Sequence, residues 1–337
     1  MKAIIPVAGA GTMLRPHTHT QPKALIPVAG KPLVSHIVEG LQAAGIQDFV
    51  FVIGYLGDKI QQYIEATYRG RLTYSFVRQE PRLGLAHAIY LCKDHFVGTG
   101  RVPVIALGDT IIDTNLSAFL ASPTSVVSVA EVDTPGDFGV VEVDDKGLAT
   151  RLIEKPLIPK SNLALVGLYK ILEAEALFAA LAAIVEPVLA PNRHDHPQTH
   201  LTDALMALVA QGVPIATARV NSWFDCGEKE TLLATNQLLL RRASHPVPHA
   251  RYPGVLLIPP VYVPESCTLE HAIIGPYVAI GENATVRRSI VQNTIVGDYA
   301  TLEDLVLRDS LVGNDTTLRG RWQAVNIGDN TEIDFNV

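Results

Sequence analysis

The stretch GAGTMLRPHTHTQPK, residues 9 to 23, gathers two glycines, Thr12, an arginine and a lysine into one loop directly after the apolar run AIIPVA. Glycine permits backbone conformations and close approaches that a Cβ forbids, and consecutive exposed amides form a concavity that holds phosphate oxygens. Such a loop suits an anion. Arg15 can add a guanidinium fork and Lys23 a point charge to whatever the amides cradle. A short glycine motif is a weak signal alone, and an ordinary strand-to-helix turn with its basic residues in water carries the same letters. The run NRHDHPQTH offers His194, His196 and His200 as a second cluster. Its proline and polarity fit a solvent-facing loop better than a metal site, and imidazoles suit zinc rather than a hard, oxygen-seeking ion.

These side chains need elements to hold them. The segments KAIIPVA, KPLVSHIVEGLQAAG, DFVFVIG, GDKIQQYIEATY, RLTYSFV, GLAHAIYLCKDHF and VPVIALGD alternate short apolar runs with helix-period stretches. Unbroken apolar runs fit strands buried on both faces, and the stretches between them are long enough to be crossover helices. Pro32 near a helix start and Gly45 just past its end match the usual asymmetry of helix termini. The pattern predicts an α/β fold with a doubly wound, mostly parallel, Rossmann-like sheet, in which ligands bind beyond the carboxyl ends of the strands. The opening loop and the pair Gly108–Asp109 both fall there. From Thr124 onward SVVSVAEV, FGVVEV, ATRLIEKP and LALVGLYKI predict a β-rich insertion covering one side of the cleft. Helical patterns return at 172 to 186, from Thr202, and after WFDCG.

The proline-rich stretch RRASHPVPHARYPG reads as a linker over 242–254, closing a first domain of residues 1–241. Beyond it, over 255–337, VPESCT, IGPYVA, IGENAT, VGDYAT, VGNDTT and IGDNTE share one hexad: an aliphatic residue first, often glycine next, a small residue fifth. That period predicts a parallel β-helix, a triangular coil using three hexads per turn, with about four coils in the available length.

At 337 residues, 48% apolar and 18% charged, the chain can fill two cores. A net charge of −7 and a pI near 5.9 argue against a surface built for nucleic acid or anionic lipid, so an anionic ligand needs local lysines or a metal. Cys92, Cys226 and Cys267 are widely spaced and odd in number, which predicts reduced thiols in a cytoplasmic protein. No stretch reaches the roughly 18 apolar residues of a membrane span, and the start lacks a signal peptide's apolar segment.

Taken together, GAGTMLRPHTHTQPKALIPVAGKPL, Pro22–Lys23, Gly108–Asp109, Glu154–Lys155–Pro156 and the set Trp223, Asp225 and Gly227 resemble the signatures of the sugar-phosphate nucleotidylyltransferases, the family of glucose 1-phosphate thymidylyl- and uridylyltransferases. The resemblance runs through residue 240, and the tail is similar to the left-handed β-helix of the family's longer members. It implies attack by a sugar 1-phosphate oxygen on the α-phosphorus of a nucleoside triphosphate with in-line loss of pyrophosphate, a reaction that rests on positioning and charge neutralisation. By the same resemblance Lys23, with Arg15, neutralises charge on the transferred group, and Asp109 and Asp225 hold Mg2+. Ala8, Gly9, Gly11, Thr12, Gln79 and Gly84 bind the nucleotide; Gly139, Glu154 and Lys155 bind the sugar phosphate. A carboxylate at the end of a buried strand is costly without a cation, and magnesium keeps waters while bridging phosphates, so both aspartates suit the metal. Capping roles are the alternative, a turn for Asp109 and a helix N-cap for Asp225. The Gln79 amide can pair with a uracil or thymine imide through one donor and one acceptor, and GLAHA is closer to the uridylyl and thymidylyl branch than to the guanylyl one.

One departure stands out. Relatives carry arginine or lysine directly after GxGT, where this chain has Met13; losing one charged phosphate contact costs about 2 to 4 kcal/mol. Met13 motivates a second reading, a catalytically weak or silent nucleotide-sugar-binding regulatory subunit. Mannose 1-phosphate with GTP is an alternative substrate pair, and a β-helix that transfers acetyl groups is a third reading, disfavoured by the short tail. The expected assembly is a homo-oligomer formed through the β-helix. Asp203, in LTDAL, is expected to place charge at a helix N-terminus.

Overall fold

The first apolar run forms the strand Lys2–Val7, buried at almost every position, in a computed structural model that describes residues 1–190, 195, 197–243 and 252–320. Contacts divide the chain into two units, Met1–Thr235 and Asn236–Val337. The linker proposed at 242–254 falls largely outside the described residues, as do His194, His196 and the hexad IGDNTE.

In the first unit Lys2–Val7 is the hub of a nine-stranded sheet. It pairs in parallel with Asp48–Ile53 on one side and Pro103–Ala106 on the other, and Thr73–Arg78 extends the first side, also in parallel. Helices α1 (Leu33–Ala43), α2 (Gly57–Tyr68) and α3 (Leu85–Tyr90) lie in the crossovers. The chain runs outward from the hub, then returns to its other edge, so strand order reverses beside Lys2–Val7 and the carboxyl ends open a crevice there. Pro32 sits at the N-cap of α1 and Gly45 lies just past its end in the left-handed region.

The strands after residue 124 behave differently from the expected insertion. Leu163–Lys170 is buried at every position and pairs antiparallel with Pro103–Ala106, so the β-rich segment extends the main sheet instead of forming a separate cover. Gly139–Val143 and Ala149–Glu154 continue the sheet beyond it, and Ser125–Glu131 joins Leu163–Lys170 to Ile215–Arg219. The reason is burial on both faces, a pattern that fits the middle of a sheet better than its cover. Helices α4 (Leu116–Leu120), α5 (Ala174–Val185), α6 (Leu201–Ala210) and α7 (Lys229–Arg242) complete the sequence of elements, α5 and α6 packing into the same core as Ile105, Val127 and Tyr169.

The second unit is a parallel β-helix. Leu256 pairs with Ile273, Ile273 with Ile290 and Ile290 with Val306, while Thr268, Thr285, Thr301 and Thr317 stack on another face. Each turn is a residue or two shorter than the about 18 that three whole hexads need. Left-handed corners at His271, Arg288 and Asp304 tighten it. Val278, Val286, Val291 and Leu302 fill the interior. Among the described residues, no helix is long and apolar enough to cross a membrane.

Candidate active site

The loop after Lys2–Val7 uses its glycines for two different reasons. Gly11 has φ +59°, and a Cβ there would lie 3.0 Å from Lys23 Cβ and 3.1 Å from Thr18 Cγ2, so the close approach of two loop segments requires glycine. The Thr18 hydroxyl donates to the Gly11 carbonyl at 2.7 Å and holds that approach. At Gly9 a Cβ would meet nothing within 4 Å. The protein's own packing therefore gives no reason for glycine at that position. The amides of Gly9, Ala10 and Gly11 have no acceptor among the described residues, and neither does the Arg15 guanidinium. The Ala8 carbonyl is engaged, accepting from the Tyr55 amide at 3.2 Å. Thr12 opens a short 3-10 turn, Thr12–Leu14, and Met13 beside it is 68% exposed.

Lys23 joins the two aspartates. Its Nζ donates to Asp109 Oδ2 at 2.7 Å and lies 3.4 Å from Asp225 Oδ1, so the two carboxylate oxygens are separated by no more than those two distances together. The lysine side chain is 12% exposed, while those of Asp109 and Asp225 are 43% and 54% exposed. Burial alone would lower the Lys23 pKa, but the adjacent Asp109 carboxylate, its hydrogen bond and Asp225 outweigh it and raise the pKa. Backbone geometry delivers this convergence: the Asp225 strand, Ser222–Asp225, runs antiparallel to Thr110–Asp113, with Asp225 opposite Thr110, and the Cys226 amide donates to the Asp109 carbonyl at 3.0 Å. Asp225 thus ends a strand, and α7 begins only at Lys229, so it is not that helix's N-cap. Gly227 lies against the cluster, where a Cβ would stand 3.2 Å from Asp225 Oδ1 and 3.6 Å from Lys23 Nζ.

Among the described residues no three histidine, cysteine or acidic side chains form a metal cluster. The donor set is two partly exposed carboxylates, with Asp109 Oδ1 taking a further contact from the Thr110 hydroxyl at 3.3 Å. That set fits magnesium, which takes one or two carboxylates and completes its shell with water and phosphate. It does not fit a closed structural zinc site.

Pro6, Ala8, Gly9, Gln79, Gly84 and Asp109 line one cavity of about 340 Å3 together with Arg82 and Gln198. Gln79 is 5% exposed. Its Nε2 donates to the Gly84 carbonyl at 2.9 Å and lies 3.4 Å from His87 Nδ1. The amino half of the amide is thus engaged within the protein, while its carbonyl oxygen has no partner among the described residues. Gly84, with φ +96°, is held against Thr199, whose carbonyl oxygen would lie 2.3 Å from a Cβ. Arg82 went unnoticed in the sequence reading; it stands over the Tyr55 ring at 5.9 Å and has no carboxylate partner among the described residues. Its position between Gln79 and Gly84 was the available signal.

The three residues expected at the sugar phosphate cluster as well. Glu154 is opposite Gly139 in the antiparallel pair, its Oε2 accepts from the Thr202 hydroxyl at 3.0 Å, and its Oε1 is 3.9 Å from His200 Nδ1. A Cβ on Gly139 would be 2.8 Å from Thr202 Cγ2 and 3.1 Å from Glu154 Oε2, so the protein's own packing demands this glycine. Lys155 has φ +41°, a strained conformation for a non-glycine residue, and its ammonium has no partner among the described residues. Asp203 lies in the first turn of α6. The cysteines are buried and free; burial pushes the Cys226 thiol up to about 12, which removes it as a nucleophile despite its place next to Asp225.

Residues 2–242 match the family model described as nucleotidyl transferase. The low-salt glycan biosynthesis nucleotidyltransferase of Haloferax volcanii is 34% identical over 324 residues, 88% of this chain and 87% of that protein. The glucose-1-phosphate thymidylyltransferase of Streptomyces griseus is also 34% identical over 324 residues, with the same 88% and 87% coverage. A solved structure of UDP-glucose pyrophosphorylase complexed with UDP-glucose shares the fold, with TM-score 0.60 and 24% identity over 72% of this chain and 99% of that one. The chain therefore belongs to the nucleotidyl transferase family, as an enzyme of the sugar-phosphate nucleotidyltransferases.

Proposed function

We propose that the chain joins a sugar 1-phosphate, glucose 1-phosphate foremost, to UTP or dTTP and releases pyrophosphate. A phosphate oxygen of the sugar 1-phosphate bonds to the α-phosphorus, the bond from that phosphorus to the bridging oxygen breaks, and pyrophosphate departs with the electron pair. The observation that carries this reading is the meeting of Lys23, Asp109 and Asp225, with Asp109 also lining the cavity that holds Gly9 and Gln79. Lys23 is held between two carboxylates, so its ammonium is positioned before substrate arrives and offsets charge on the transferred phosphoryl group. The free amides of Gly9, Ala10 and Gly11 and the unpaired Arg15 supply donors for the triphosphate. Arg15 carries this charge because the exposed thioether of Met13 cannot. Asp109 and Asp225 would hold Mg2+, which would supply positive charge to offset that of the phosphates. Lys155, cationic and unpaired, and Glu154, next to Gly139, serve the sugar phosphate and the sugar hydroxyls. The carbonyl of Gln79 accepts from the imide N–H that uracil and thymine share.

Pyrophosphate release tests the proposal. UTP, dTTP, CTP, GTP and ATP are each paired with glucose 1-phosphate and mannose 1-phosphate, with and without magnesium. Turnover that needs both substrates and the metal, favours UTP or dTTP, and falls by more than about 10³ in Asp109→Asn is expected. GTP with mannose 1-phosphate as the best pair would overturn the base assignment, and the absence of turnover in every pair would overturn the reaction.

A further inference from the structure

Gln79 can face its ligand in either of two ways, with the carbonyl or with the amino group outward, and the two read opposite base edges. The surrounding contacts settle which. The Gly84 carbonyl can only accept, so the half of the amide 2.9 Å away from it is the amino group. An amino group carries two hydrogens, and the second points to His87 Nδ1 at 3.4 Å. Nδ1 accepts only when the imidazole is neutral with its proton on the other nitrogen. Burial of the ring favours the neutral state by lowering its pKa, against a smaller influence of the Pro81 backbone that raises it. The His87 amide donates to the Thr199 hydroxyl at 3.1 Å, which anchors the residue at the start of α3. With the imidazole neutral and Nδ1 unprotonated, the Gln79 amino group has an acceptor for each hydrogen, the Gly84 carbonyl and His87 Nδ1.

We infer that His87 is a positioning residue that holds the Gln79 amide with its carbonyl toward the ligand, so that the site selects a pyrimidine bearing a proton on N3. The inference rests on the proposed role of Gln79 in nucleotide binding. An acceptor at this point pairs with the N3–H of uracil or thymine. It opposes cytosine, whose N3 has only a lone pair, and a nearly buried amide cannot turn to water to relieve the mismatch. Without an acceptor at 87, the amino group keeps only Gly84, and the amide is freer to turn and present its hydrogens. Protonated His87 would act in the same direction, because Nδ1–H faces the amino group donor to donor. The groups around the ring are Gln79 from the end of the strand Thr73–Arg78, Pro81 and Gly84 from the following loop and Thr199 from the turn before α6; none of these titrates, and no charged side chain is among the influences on it.

Direct binding of UTP, dTTP and CTP to the full chain, measured by calorimetry with magnesium, tests this without depending on turnover. The wild type is expected to bind the better of UTP and dTTP at least about tenfold more tightly than CTP. His87→Leu should lose most of that ratio, in part through tighter binding of CTP, while His87→Gln, whose amide can also accept from Gln79, should keep it. Because a leucine at 87 can disturb folding, a thermal melt accompanies each binding measurement, and His87→Gln, which keeps an acceptor at this place, supplies the independent arm. A wild-type ratio near one, a ratio preserved in a folded His87→Leu, or a ratio lost in a folded His87→Gln would each overturn the inference. Loss of turnover with binding selectivity intact would instead overturn the proposed reaction and leave the role of His87 standing.

Discussion

Lys23→Met separates the work of this side chain in the reaction from its work in the fold. At 2.7 Å from Asp109, two unit charges interact by about 1.5 kcal/mol in water and by about 6 kcal/mol at an effective dielectric constant of 20. Both carboxylates are about half exposed, which draws the pair toward the water limit, and desolvation of the lysine opposes the attraction. The net loss of stability is then about 1 to 2 kcal/mol, or a fall in Tm of no more than about 8 °C in a unit of this size. Catalysis has no such offset, because the charge it meets develops only as the transferred group moves. Removal of one preorganised donor to developing charge costs about 10² to 10³ in rate. The test is kcat for pyrophosphate release beside a thermal melt of the same preparation. A variant within fivefold of wild-type rate would refute the placement of Lys23 at the transferred phosphate. A collapse of Tm in step with the rate would show the lysine to be structural.

Gly9→Ala places a methyl group in space that no protein atom occupies, so Tm should stay within about 1 °C while KM for the nucleotide rises about tenfold or more; an unchanged KM would mean that no ligand approaches there. Gly227→Ala puts a Cβ 3.2 Å from Asp225 Oδ1, close enough to shift that carboxylate by a few tenths of an ångström, and kcat is expected to fall about tenfold with the fold intact by circular dichroism. His36 gives the stability of the fold a pH dependence. Burial pushes it down to about 4, with its Nε2 2.9 Å from the Val28 carbonyl. Its folded pKa lies below the unfolded value of about 6.5, so the unfolded chain binds the proton first, and stability present above about pH 6.5 is lost as pH falls toward about 4, by roughly 2 to 3 kcal/mol. Urea midpoints measured across that range should lose this component in His36→Gln; an identical slope in both proteins would assign the acid sensitivity elsewhere.

What the sequence determined alone was whatever is local. Apolar runs and helical periods located Lys2–Val7, Asp48–Ile53, α2 and α5 because burial repeats with the geometry of each element, and the hexads marked the β-helix for the same reason. The five motifs, read jointly, pointed to the family that the comparisons establish, and Met13 was visible as the uncharged residue in a basic loop. Tertiary structure alone decided the rest. Lys23 meets one carboxylate 86 residues away and another 202 away, a distance in sequence over which no spacing rule operates. The strands after residue 124 entered the main sheet because burial of Leu163–Lys170 on both faces is satisfied only between neighbours supplied by distant segments. Gln79 had two possible directions in the sequence and one in the fold, since the Gly84 carbonyl that takes its amino group acts only once a strand end and a glycine turn have come together.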